Sequence, residues 1–197
     1  MDPRAGVTPS IRNFAHAIDR QRQSLERIPL LDPTRADLEE TARSLDEAEA
    51  AALAIAAGED LARFAAASRA VSIPLLRADL LGEEFRIYES RTAGADAVLI
   101  RGGLPQELLS RLVQAATSTH MAACVVCADA EEVARAAAAR APVVAVEPAL
   151  LHLPIPPRTL VLALSFAADA RGRADAALDR SLNDAESLRR ALAEEDT

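Results

Sequence analysis

The sequence predicts a single (β/α)8 barrel of the TIM type, and three observations carry that prediction. Short apolar runs of four to seven residues recur without polar alternation, which marks strands buried on both faces. Segments with helical periodicity separate them, as parallel crossovers require. No linker or composition break divides the 197 residues, so 10–197 reads as one domain and 1–9 as a flexible N-terminus. Such barrels typically take about 250 residues, so this one is expected to be compact, with short loops and a weak or incomplete eighth unit.

The elements follow in order. Segment 10–25 places Phe14, Ala17, Ile18, Gln21 and Leu25 on one helical face, which predicts an amphipathic helix preceding the first strand. Residues 27–31 are a short strand. Thr34, with Asp37 three residues on, reads as the N-cap of a helix through TRADLEETARSLDEAEAA. AALAIAAG is a small-residue strand, DLARFAAASRA a helix and SIPLLRAD a strand. GEEFRIYESRTAG is a helix stopped by Gly94, the residue type suited to the left-handed position past a helix end. DAVLI is a strand, and PQELLSRLVQAATST is a helix with proline in its first turn. MAACVVC is a strand, and DAEEVARAAAAR a helix whose Asp129 and Glu132 form a capping-box pattern. PVVAVEP and RTLVLALS are strands, 176–178 is a weak eighth, and NDAESLRRALAEE is a terminal helix with Asn183 as its cap. If the eighth strand is poorly formed, the first and seventh expose edges that the terminal helix or a partner chain would cover.

Composition excludes several function classes. The net charge of −8 and the scarcity of aromatics (four Phe, one Tyr, no Trp) disfavour nucleic acid, which attracts basic surfaces and stacking platforms. No run reaches the roughly 18 apolar residues of a membrane span, and the N-terminus has no signal-peptide core, so the expected location is cytoplasmic, with no membrane partner. Cys124 and Cys127 have CxxC spacing, but on a strand, positions three apart face opposite ways; they read as core cysteines. His16, His120 and His152 lie on separate elements, so no metal or other cofactor is expected. All 22 basic residues are arginine; the 197 residues contain no lysine.

The stretch IPLLRADLL followed by IYESRTAGADAVLI resembles the third strand, third helix and fourth strand of the indole-3-glycerol phosphate synthase family of tryptophan biosynthesis, usually written PVLRKDFI and IYEARAAGADAVLL. Weaker similarity runs from MAACVVCADAEEV through PVVAVEPALL, and ALDRSLNDAESLRRAL is similar to the family's final segment. The resemblance implies a barrel whose mouth, in the family, closes an indole ring on a phosphorylated substrate with lysines and glutamates. Residue by residue, the first-strand lysine falls at Pro29, the third-strand lysine at Ala78, the fifth-strand glutamate at Val126 and the seventh-strand glutamate at Leu164. The sixth-strand asparagine falls near Pro148. A phosphate-cradling glycine is replaced by Phe166 beside a kept Ser165, and the eighth-strand GES becomes Asp179-Arg180-Ser181.

Arginine does not release a proton near neutral pH, so it cannot replace a general-acid lysine. The reading is a non-catalytic homologue acting as a binding, regulatory or scaffold protein, with a protein partner or a homo-oligomer and a residual phosphate or anion ligand as its candidate partners. Arg77, Asp79, Ser165, Arg180 and Ser181 are the candidate ligand-binding residues, although Arg77 and Asp79 also fit a plain ion pair. Arg101-Gly102-Gly103 reads either as an anion cradle or as a tight turn. The alternatives are an enzyme or phosphometabolite binder of altered chemistry using Arg77, Asp79 and Arg180, and a structural subunit of an oligomer.

Overall fold

The computed structural model describes residues 7–59 and 61–195. Eight parallel strands close into a barrel in sequence order: β1 Glu26–Leu31, β2 Leu53–Ile55, β3 Leu75–Leu81, β4 Ala97–Arg101, β5 Ala122–Val126, β6 Val143–Val146, β7 Leu160–Ala163 and β8 Ala176–Asp179. The (β/α)8 fold is therefore present, and the eighth strand is complete. It pairs with β7 through Leu162–Ala176 and Ala163–Ala177, and with β1 from Glu26–Ala176 to Pro29–Asp179. The barrel has no exposed edge for a partner to cover.

The strands alternate between two apolar layers. Ile28, Leu30, Ala54, Leu76, Leu99, Cys124, Ala145, Leu162 and Leu178 fill the interior, whereas Leu31, Ile55, Leu75, Ile100, Val125, Val146 and Ala177 face the surrounding helices. Period-two alternation between two buried faces explains why the runs carry no polar positions. Small alanines recur inside because an eight-stranded barrel is only just wide enough for its side chains.

The helices are α1 Phe14–Ile18, α2 Leu38–Glu47, α3 Ala62–Ala70, α4 Glu84–Thr92, α5 Gln106–Ser118, α6 Ala130–Ala138 and α7 Ala185–Glu195. Asp129 caps α6 by accepting from the Glu132 amide, while the Glu132 carboxylate accepts from the Ala128 amide. Gly94 adopts φ +97° after α4, and Pro105 is the N-cap of α5. After β6 and β7 the chain forms only 3-10 turns, Pro148–Leu150 and Ala168–Ala170. Leu150, Leu153, Ile155 and Phe166 from these connections pack on the outer layer where helices would otherwise lie. This is how the eight-fold pattern fits a short chain.

Three expectations are corrected. The helix anticipated over 10–25 is only α1, because Gln21 and Arg22 turn back through left-handed conformations (φ 51° and 57°) and the Arg22 amide is held by the Asp175 carboxylate. Phe14 and Ile18 still bury, plugging the N-terminal end of the interior. Thr34 does not cap α2: its amide and hydroxyl both donate to Asp32, and Asp37 occupies the cap position. The terminal helix is capped by Asp184, which accepts from the Ser187 amide, rather than by Asn183. Of the segment 1–9, residues 1–6 lie outside the described residues, while Val7 packs against the outer layer.

Candidate functional site

In parallel barrels, chemistry sits at the carboxyl ends of the strands, so the inward positions at those ends define the candidate site. Ala78, Val126 and Leu164 are half-buried and pack against the interior cluster. Pro29 does not join them. It lies between Ile28 and Leu30, both interior residues, and so faces the opposite side of β1; Leu30 is the inward residue there. Counting alternation from Ile28 would have shown this in the sequence. The floor of the mouth is thus Leu30, Ala78, Val126 and Leu164, with Leu80 exposed just beyond the irregularity between Arg77 and Leu80 in β3.

Four charged residues stand at the strand ends around this floor, the first being Asp32, two residues after the inward Leu30. Arg101 is in register with Val126, on the same side of the sheet. Glu147 follows Val146 in extended conformation (φ −62°, ψ 147°), one step after the outward Val146 and two after the inward Ala145. Arg180 follows Asp179, two residues after the inward Leu178. Its charge reaches Asp32 at the end of β1, whose carboxyl is held below its ordinary range first by hydrogen bonds from Thr34. All four residues are exposed, and among the described residues none makes an ion pair. Arg101 entered the sequence reading only with Gly102 and Gly103, as an anion cradle or a tight turn, and Glu147 did not enter it, although the pattern AVE carries the necessary alternation.

The other anticipated residues do structural work. Arg77 is 2% exposed. It donates to Asp79 at 2.8 Å, to the Ser90 hydroxyl at 3.0 Å and to the Gly58 carbonyl at 2.8 Å. Asp79 also accepts from the amides of Ala57 and Gly58, both at 3.0 Å. The pair therefore ties β3 to the loop after β2 and to α4, with no donor left pointing into the mouth. Asp79 is not brought together with Arg180.

Near β7 and β8, the Arg27 guanidinium lies 4.1 Å from the Phe166 ring centroid and bonds Asp179 through Nε at 2.9 Å and Nη2 at 2.7 Å. Ser181 donates its amide and hydroxyl to the same carboxylate. Burial works to raise the Asp179 pKa, but the hydrogen bonds from Ser181 and Arg27 outweigh it and hold the carboxyl below its ordinary value. An ionised carboxylate and an aromatic ring thus stand where a phosphate would need donors. Ser165 is exposed and outside this cluster. The glycine pair is a close approach: a Cβ on Gly102 would meet the Val126 carbonyl oxygen at 2.3 Å, and one on Gly103 the Glu132 carboxylate at 2.8 Å. That carboxylate opposes an anion cradle and agrees with the tight-turn reading.

Cys124 lies in the interior and Cys127 in the outer layer, both as free thiols. Burial raises both pKa values; Cys127 is pushed up to about 12, with Glu132 and Asp129 adding to the shift. Among the described residues no group of three or more His, Cys, Asp or Glu could hold a metal ion, and no helix is long and apolar enough to cross a membrane.

A closed barrel of eight parallel strands in sequence order, with helices or 3-10 turns between them, defines a member of the (β/α)8 class. Residues 7–152 match the model of the indole-3-glycerol phosphate synthase family, and the chain belongs to that family. It is 42% identical to the indole-3-glycerol phosphate synthase of Kineococcus radiotolerans over 90 residues, which is 45% of this chain and 33% of that protein. The corresponding protein of Rhodococcus jostii is 42% identical over 87 residues, 44% of this chain and 32% of that one. The match thus spans about a third of each relative's length. Among solved structures, a 4-hydroxy-2-oxoglutarate/2-dehydro-3-deoxyphosphogluconate aldolase superposes with a TM-score of 0.67 at 18% identity, over 90% of this chain and 94% of that one. A 3-hexulose-6-phosphate synthase superposes with a TM-score of 0.62 at 17% identity, over 85% and 99%. These two likenesses concern the fold alone.

Proposed function

We propose that this chain is a non-catalytic member of the family that works as a binding protein rather than closing an indole ring. The observation that carries the reading is the mouth itself. Leu30, Ala78, Val126 and Leu164, the inward positions of four strands, are apolar and pack on the interior cluster. Proton transfer needs a positioned group that holds a transferable proton near neutral pH, a contribution of about 10²- to 10⁴-fold for each such group. None of these four side chains is one, and the 197 residues supply no lysine from any neighbouring position. The altered-chemistry alternative loses support because Arg77 and Asp79 are committed to holding the loop after β2. A phosphate ligand at β7 and β8 is likewise disfavoured by the Asp179 carboxylate and Phe166.

The test is turnover. Purified protein is incubated with the family's phosphorylated anilino-deoxyribulose substrate, and indole-3-glycerol phosphate is followed by its indole absorbance and by chromatography. The expected result is no product above the protein-free control; steady formation proportional to protein concentration would overturn the reading.

A further inference from the structure

We propose that the barrel mouth binds a free α-amino acid with an apolar side chain, its carboxylate held by Arg101 and Arg180 and its ammonium group by Glu147. The inference rests on the reading of the chain as a non-catalytic binding protein and names the ligand class of that same site.

The argument starts from where the barrel leaves charges unpaired. Elsewhere on the strands and their entry points, charged side chains are matched: Glu26 with Arg20, Arg27 with Asp179, Arg77 with Asp79, Asp96 with Arg12 and Arg91, and Asp175 with Arg22. Arg101, Glu147 and Arg180 are the exceptions, together with Asp32, which accepts from the Thr34 amide and hydroxyl and feels the charge of Arg180; Arg101 ends β4 on its inward side, and Glu147 and Arg180 are the first residues after β6 and β8, two beyond the inward Ala145 and Leu178. An eight-stranded barrel is only just wide enough for its own side chains, so arginines at the ends of the opposed strands β4 and β8 are long enough to meet a ligand over the same floor. Glu147, two strands from each, stands between them.

The charge set selects the ligand. Two guanidinium forks suit one carboxylate, which accepts bidentate hydrogen bonds from arginine. One carboxylate on the wall suits one ammonium. A phosphate or a dicarboxylate would satisfy the arginines but press against Glu147, and a simple amine would leave both guanidinium groups unmatched. The floor supplies the remaining requirement. Ala78, Val126 and Leu164, with Leu80 45% exposed beside them, offer an apolar surface that only an apolar side chain covers to advantage.

Calorimetric titration with L-leucine and L-phenylalanine tests this. Saturable binding is expected, weakened about tenfold or more by either Arg101→Ala or Arg180→Ala, since each removes a charge-assisted contact. Arg158→Ala, an exposed arginine at the other end of the barrel, should leave it unchanged. Glu147→Gln should weaken L-phenylalanine while leaving N-acetyl-L-phenylalanine, already the poorer ligand, unaffected. The inference is overturned if neither amino acid binds saturably, if both arginine variants bind as tightly as the parent, or if N-acetyl-L-phenylalanine or L-phenylalanine amide binds as well as the free amino acid. Because all three residues are exposed, the variants should melt with the parent. Product in the turnover assay would sink the non-catalytic reading by itself, whatever these titrations return.

Discussion

Replacing Asp96 by alanine should be the most damaging single change to a polar residue at the N-terminal end of the barrel. Asp96 is fully buried. It accepts from Arg12 Nε at 2.7 Å, Arg91 Nη1 at 2.8 Å, the Leu75 amide at 2.9 Å and the Ser10 hydroxyl. Arg12 in turn donates to Ser68, Val71 and Gly94, so one carboxylate anchors the segment that leads into the α1 plug. The alanine variant strands two guanidinium groups, at 16% and 14% exposure, and a buried amide. Breaking a buried pair by removing one partner costs about 3–5 kcal/mol, and the slight exposure of both arginines argues for the lower end. At about 2–4 °C per kcal/mol for a chain of this size, the melting temperature should fall by roughly 6–12 °C. Differential scanning calorimetry measures it, and an Arg12→Ala, Asp96→Ala double-mutant cycle isolates the pair. A fall under about 3 °C would refute the argument that this cluster secures the plug.

Gly94→Ala should destabilise by about 2–4 kcal/mol, combining the left-handed backbone cost with overpacking. Its φ is +97° and its Cβ would meet Ser68 Oγ at 2.3 Å, so adding Ser68→Ala should recover part of the loss in urea melts; full recovery would show that backbone conformation costs nothing. Neither Cys124 nor Cys127 should react with a thiol reagent at pH 8 until the protein unfolds, because both thiols are buried with raised pKa values; rapid labelling of the native protein would contradict this. Asp179 titrates below its ordinary value when folded. Its stabilisation is therefore complete above the unfolded carboxylate value and fades as the pH falls through the lower folded one. Asp179→Asn should flatten that acid limb, and an unchanged acid limb would show that the group does not contribute.

The mouth shows why some of the site was legible and some was not. Ala78 and Val126 lie in strands with clear apolar boundaries and Leu164 directly follows one, so their positions on the resemblance put them at the barrel end, and the structure places all three against the interior cluster. Pro29 sits in RIPLLDPT, where proline and leucine are equally apolar and one step of register changes the face. Arg77 and Asp79 looked available because RxD at a strand end is a common ligand pattern. Their partners, the amides and carbonyl of residues 57 and 58, are backbone groups with no sequence signature.

The amino-acid sequence by itself determined the order of strands and helices, the two-sided burial of the strands and the absence of lysine, because these depend on side-chain type and on periodicities of two and 3.6 residues. Only the tertiary structure decided where α1 stops, that β8 closes the ring, that 3-10 turns replace helices after β6 and β7, and which arginines are spent on carboxylates. Those outcomes depend on partners far along the chain: Asp175 turns the backbone at Arg22, and Asp179 engages Arg27 across the closing pair of strands. A local pattern cannot encode a contact over more than 150 residues of separation; closure of the barrel can.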